Sequence, residues 1–326
     1  MDTGASIRLG TTLSGIRFYT PIDTTQVDKL KNMGATVQFG TLIAPKDYLT
    51  ESELTFDLGT GRYADVPFTS KTYFTETGFK GVVGSIVSIK DANVAREFVG
   101  RGYAKVTLGS VEKIIYADYA NKDIKNNSRS VAFVADAYKN NNSGYASLKD
   151  SFKELVDKWA GAYTLKNNGI DIGKVKTVNS ATAVSENGVL KIGMEQWKDD
   201  DTTVTNYVKI AVNGLTTGTI NAYVGAGAEW EGHKNTGAHY GVEIGGVVYW
   251  DTYYDSGEIK AETSTESSFL GKTLYQLTDA GFTGVESTAV VSTKNISTDD
   301  LANITAVYIR PGNHYNAQYV YIESIK

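Results

Sequence analysis

The sequence contains no cysteine. That absence excludes disulfides, thiolate metal sites, iron–sulfur ligation and cysteine nucleophiles. It leaves the compartment open, because secretion permits disulfides without requiring them. Histidine occurs only 3 times in 326 residues, which leaves little for histidine-rich metal catalysis, and no cofactor is expected. No apolar run approaches the ~18–20 residues of a membrane span, so membrane insertion is not expected. Basic charge is short as well. The net charge is −5 and the pI about 5.4, so the basic footprint of nucleic-acid binding is missing and no nucleic-acid partner is expected. The opening residues Met1, Asp2, Thr3 and Gly4 carry neither a basic region nor an apolar stretch. A signal peptide was either never there or has been removed. Proline is held to 4 residues against 33 glycines.

What is present argues for packed cores. Hydrophobic residues make up 41% of the chain and charged residues 21%, a balance unlike that of disordered chains. A length of 326 residues suits two domains at ~100–200 residues each. Tyrosine, at 21, nearly doubles phenylalanine, at 11. A tyrosine has an apolar body and a polar tip, so it suits half-exposed and recognition surfaces. An acidic, cysteine-free chain rich in Tyr, Thr, Asn and Gly is the composition of an extracellular bacterial β protein.

The first ~120 residues alternate with period two in short segments, which predicts strands. Ile7/Leu9, Ile16/Phe18, Val37/Phe39, Ile86/Ile89 and Ala104/Val106/Leu108 mark them. One helix interrupts, capped by Thr24 or Thr25, lined by Val27 and Leu30 and ended by Gly34. Residues 128–163 change period. Val131, Val134 and Tyr138 share a helical face. Leu148, Phe152, Leu155, Val156 and Trp159 share another behind a predicted Ser147 cap. The polar run 166–169 (KNNG) places a boundary between 164 and 178, after which β patterning returns. The predicted architecture is mainly β, with two β-sandwich lobes and a small helical cluster between them. The lobes are 1–165 (sandwich 1–125, helices 126–165) and 178–326.

In the second lobe several segments separate into an aliphatic face and a tyrosine face. Val208/Ile210, Ile220/Ala222/Val224, Val307/Ile309 and Val320/Ile322 alternate with Tyr207/Lys209, Asn221/Tyr223, Tyr308/Arg310 and Tyr319/Tyr321. The aliphatic sets are predicted to face the core. Cross-strand pairing is the plain explanation for the tyrosines, at ~0.2–1 kcal/mol per pair. In 247–254, Tyr249, Asp251 and Tyr253 share a face. The carboxylate marks that face as the wet one and assigns Trp250 to the core.

Residues 225–240 (GAGAEWEGHKNTGAHY) concentrate Trp230, His233, Asn235, His239 and Tyr240 among glycines. A ring flanked by amides and carboxylates suits a sugar, whose C–H groups stack while its hydroxyls take directional hydrogen bonds. The competing explanation is a hairpin whose Trp230 folds onto the core. The candidate ligand set is Trp230, His233, Asn235, His239, Tyr240, Tyr249, Asp251 and Tyr253. An alternative cleft is assigned to Trp159 and Tyr163. Glu229, Glu231 and His233 share a strand face, but a surface charge cluster explains them better than a metal, and no metal is assigned. Asp199, Asp200 and Asp201 offer hard oxygen ligands to a structural calcium, although a solvated acidic turn explains them as well. Residues 268–273 (SFLGKT) end like a phosphate loop, yet Glu266 stands where its first glycine belongs. Gly225-Ala226-Gly227 has Trp230 where a dinucleotide fingerprint needs glycine. Neither G-x-S-x-G nor H-E-x-x-H occurs. No catalytic residue is assigned.

Several stretches carry a family resemblance: GASIRLG (4–10), GIRFYTPID (15–23), GATVQFGTLIAP (34–45), REFVGRGYAKV (96–106) and YADYANKDIKNNSRSVAFVADAY (116–138). Together they resemble β-sandwich modules of large secreted and cell-surface proteins of anaerobic gut Firmicutes, which accompany dockerins and starch-adherence assemblies. Residues 178–326, ending in AQYVYIESI (317–325), resemble a carbohydrate-binding-module sandwich. The resemblance implies non-catalytic binding of a polysaccharide, with an α-glucan such as starch foremost, at an extracellular or cell-surface location. It also implies further domains of a larger secreted protein as partners. The runner-up expectations are a spacer or adhesin that binds a protein, and an unrecognised glycoside hydrolase.

Overall fold

The computed structural model describes residues 5–49, 53–76, 78–118, 128–186, 188–194, 206–225, 238–251, 261–262, 273–278, 281–285, 291–311 and 319–326. The described residues form four sheets, two in each of two compact units, 1–160 and 161–326. The fold is mainly β, as the alternation predicts.

The first unit contains β1 (Ser6–Arg8), β2 (Gly15–Pro21), α1 (Thr24–Asn32), β3 (Thr36–Pro45) and β4 (Ala64–Pro67). It continues with β5 (Phe74–Glu76), β6 (Phe79–Val87), β7 (Phe98–Leu108), β8 (Val111–Tyr116), α2 (Val131–Asn141) and the start of α3 (Asp150–Asn167). Antiparallel sheets in the orders β1-β2-β6-β5 and β4-β3-β7-β8 pack face to face. Ile16, Phe18, Leu42, Ala44, Val82 and Val99 are buried. Glycine lets the sheets approach. A Cβ on Gly100 would stand 2.3 Å from the Phe18 ring, and one on Gly84 would stand 2.4 Å from Thr41 Cβ.

The helices follow their sequence faces, with different ends. Asp23, not Thr24 or Thr25, caps α1, because its carboxylate accepts from the amides of Thr25 (2.9 Å) and Gln26 (3.2 Å). Ser130 caps α2 through the Phe133 amide at 3.1 Å. Ser147 does not cap α3. Its hydroxyl donates to the Gly144 carbonyl at 3.0 Å, in the turn ahead of the helix. The run KNNG is not a linker at its start, since α3 continues to Asn167 and Gly169 follows at φ +88. The boundary between the units, at 160/161, falls inside α3.

The second unit contains β9 (Val175–Val178), β10 (Ala181–Glu186), β11 (Val189–Met194), β12 (Tyr207–Ala211), β13 (Thr219–Gly225), β14 (Ala238–Ile244) and β15 (Val247–Asp251). Then come β16 (Ala261–Glu262), β17 (Thr273–Gln276), β18 (Gly281–Val285), β19 (Val291–Asn295), α4 (Thr298–Leu301), β20 (Ile304–Pro311) and β21 (Tyr319–Ile325). One sheet runs β10-β11-β21-β13-β16, with β17 also on β13. The other runs β19-β18-β15-β14-β20-β12-β9. Only the β13–β16 pair is parallel among the described residues. Between the sheets lies one core holding Val208, Ile210, Ile220, Ala222, Val307, Ile309, Val320 and Ile322. These are the predicted aliphatic faces.

Two readings of the opposite faces need correction. The tyrosine faces are largely dry. Tyr223, Tyr308 and Tyr321 are 4–5% exposed. Tyr223 stands opposite Tyr321 in register with ring centroids 5.9 Å apart, so the cross-strand pair buries itself. In β15 the wet face is misread, because Tyr249 packs against the main core and the Asp251 side chain is 0% exposed. Trp250 is buried as expected, but in a smaller cluster on the outer side with Tyr308 and Ala306.

Candidate functional site

The described part of the 225–240 stretch is its two ends, Gly225 closing β13 and Ala238 opening β14. Trp230, His233 and Asn235 lie outside the described residues, with Glu229 and Glu231. So do Tyr253 and the Asp199, Asp200, Asp201 run. His239, Tyr240, Tyr249 and Asp251 are described, and the first two are brought to the last.

The hairpin of β14 and β15 turns through Gly245 and Gly246, at φ +60 and +82. Both positions need a left-handed backbone, which glycine adopts without steric cost. The turn sets the register that carries the end of β15 back to the start of β14. There the Asp251 carboxylate accepts from three directions. Oδ1 meets His239 Nδ1 at 3.1 Å. Oδ2 takes the Tyr240 amide at 3.2 Å and the Tyr275 hydroxyl at 2.9 Å. Tyr275 belongs to β17, so the carboxylate ties the two sheets together. A fully buried carboxylate without such donors would be strongly disfavoured. Because an ionised carboxylate only accepts, the Nδ1 of His239 carries the proton, which fixes the ring's tautomer and orientation.

Tyr240 completes the buried part. Its ring stacks on Tyr275 at 4.3 Å with 29° between planes. Its hydroxyl is buried without a hydrogen-bond partner among the described residues. Burial, and then the nearby Asp251 charge, push its pKa well above the usual tyrosine value. With 0% exposure Tyr240 supports the site from within and offers no face to a ligand. Asp251 likewise acts through His239 and Tyr275. His239, with 12% of its side chain exposed, reaches the surface of this network. In register it stands opposite Arg310 on β20.

Beside it, on the outer side of the same sheet, Tyr207, Tyr308 and Trp250 cluster at centroid distances of 5.2–6.0 Å. Gly241 makes room for the indole, since a Cβ there would meet Trp250 at 3.0 Å. Glu243 locks this patch. Its Oε2 takes Lys209 Nζ at 2.6 Å and the Tyr308 hydroxyl at 2.5 Å, and its Oε1 takes Thr305 Oγ1 at 2.9 Å. The Lys209 ammonium, followed by the Tyr308 hydroxyl, lowers the Glu243 pKa to about 2.

The remaining candidates are separate. Tyr249 is half-buried, with Lys294 Nζ 5.7 Å from its ring. Trp159 is 4% exposed, and Tyr163 is half-buried. Sequence reasoning missed Tyr275 and Arg310. The only local signal was the alternation in 305–310, which put Arg310 on the tyrosine face. Among the described residues no group of three or more histidines or carboxylates is placed to hold a metal ion. No protein-family model, curated protein or solved structure matches the chain.

Proposed function

We propose that the protein binds a polysaccharide without transforming it, an α-glucan such as starch foremost, as a module of a secreted or cell-surface bacterial protein. The observation that carries this reading is the Asp251 network. It fixes His239 and the first residues of β14, which follow the Trp230 stretch, on a footing that spans both sheets. A stacking ring and its hydroxyl-binding neighbours need such support, because affinity for a sugar is weak and is easily lost to side-chain ordering. In this reading Trp230 is the stacking ring, and His233, Asn235 and His239 supply hydroxyl contacts.

The test is retention. The protein is incubated with insoluble starch, cellulose and xylan, and then run in native gels containing the soluble polysaccharides. Retention on one of them is expected, and Trp230→Ala should weaken it while leaving the melting temperature unchanged. Loss of one aromatic platform costs about 1–3 kcal/mol by analogy with bases stacked on aromatic rings. A Trp230→Ala variant that melts much lower places the indole in the core. Failure of the native protein to bind any glycan favours the spacer or adhesin reading. Reducing-sugar release that scales with protein concentration would overturn the non-catalytic assignment.

A further inference from the structure

The outer face of the β1-β2-β6-β5 sheet gathers three aromatic rings around one glycine. In register Phe74 and Pro21 flank Gly81, and Phe79 lies on the diagonal from Phe74, at roughly 7–8 Å between backbones. Alternation puts Tyr19 on this face, because Phe18 on the other side meets Gly100 of the facing sheet. Gly81 has no side chain, and the Tyr19 ring lies in the space. A Cβ there would stand 2.5 Å from Tyr19 Cζ. The Tyr19 hydroxyl donates to the Phe79 carbonyl at 2.7 Å, which holds the ring down on the sheet. Arg17 sets its guanidinium 5.5 Å from the Phe74 ring centre. Phe79 is 65% exposed and Phe74 42%.

We propose that Tyr19, Phe74 and Phe79 form a second glycan-binding platform, in the first unit, with the Arg17 guanidinium packed at its margin. The ligand class rests on the polysaccharide reading above, whereas the site is independent of Trp230. Size argues for a sugar over a protein. A phenylalanine side chain offers ~150–250 Å², so two rings exposed to this degree present on the order of 200 Å². A stable protein interface takes ~800 Å² from each partner. A ring fixed before binding, as Tyr19 is by its bond to the Phe79 carbonyl, suits a small, flat ligand face, because little side-chain entropy remains to be lost.

The experiment compares native protein, Trp230→Ala, the double variant Phe74→Ala/Phe79→Ala, and Tyr19→Phe. All are run in native gels with soluble starch, xylan or mixed-linkage glucan, with melting temperatures and sedimentation profiles recorded. The double variant is expected to lose retention roughly tenfold, the equivalent of about 1.4 kcal/mol, at an unchanged melting temperature. Tyr19→Phe keeps the ring but frees it, so its loss should be smaller. If the native protein is retained and the double variant is retained equally, the platform is overturned and the polysaccharide reading stands. If the double variant loses retention while Trp230→Ala does not, the platform is upheld and the second-unit site falls. Retention of no variant on any glycan overturns both. A native dimer that the double variant turns into a monomer makes this face a protein contact and also overturns the platform. Should the double variant melt lower, Phe79→Ala alone decides, because that ring is the more exposed of the two.

Discussion

Asp251 has a stabilising role that its surroundings define. Three donors converge on it, one from the adjacent strand's backbone, one from His239 and one from Tyr275 on the facing sheet. Truncating it removes the acceptor these donors share, and a buried donor left unsatisfied costs ~1–3 kcal/mol. Asp251→Ala should therefore destabilise the second unit by on the order of 3 kcal/mol, read as a lower urea midpoint. Tyr275→Phe removes one donor and leaves the carboxylate two, so it should cost only about 1 kcal/mol. An Asp251→Ala midpoint equal to that of the native protein would show that the network contributes nothing. The same residue shows where local sequence patterning fails. Its charge marked 247–254 as having a wet Tyr249/Asp251 face, but polarity signals exposure only when no partners are at hand. The deciding partner, Tyr275, lies 24 residues away, and strand alternation carries no information about it.

Strand faces were readable wherever the aliphatic set was continuous. Val208/Ile210, Val307/Ile309 and Val320/Ile322 lie where alternation put them. Alternation does not say what covers the other side. Tyr308 and Tyr321 are buried by neighbours on adjacent strands, whereas Phe79 near the β5 edge is not. The three-strand contact of β12, β14 and β20 has a pH signature. Glu243 has its pKa lowered from 4.5 to about 2 by Lys209 first and Tyr308 second. A carboxylate whose folded pKa is lowered contributes its stability above the unfolded value and loses it as pH falls through the folded one. The window is thus from about 4.5 down to about 2. In urea titrations across it, the native protein should lose more stability than Glu243→Gln. Asp47, Asp157 and Asp300, whose pKa values are also lowered, are common to both proteins and cancel in the difference. Parallel acid curves for the two proteins would exclude Glu243 as a source of acid sensitivity.

At the scale of the molecule, the division into 1–160 and 161–326 runs through an 18-residue helix. The helix serves each unit with its own residues. Val156 and Trp159 are buried in the stretch counted with the first unit. Leu165, the fifth residue of the second unit, is 0% exposed and belongs to that unit's main core. Sequence periodicity found the helix but ended it near 163, because the polar run KNNG resembles a linker. Leu165 and Ile170 on either side of that run are what hold it to the second core. Helix formation is cooperative, and isolated helices shorter than ~12–15 residues are marginal in water. A fragment beginning at 161 keeps only 161–167 of α3, less than two turns, so Leu165 is poorly held over its socket. A fragment beginning at 150 keeps the whole helix. The 150–326 fragment should therefore melt several degrees above 161–326, since about 1 kcal/mol shifts the melting temperature of a 150–250-residue domain by ~2–4 °C. Circular dichroism melts of the two fragments give the comparison directly. Coincident melts would mean that residues 161–167 of α3 hold Leu165 unaided. The helix would then belong to the first unit in energy as well as in length.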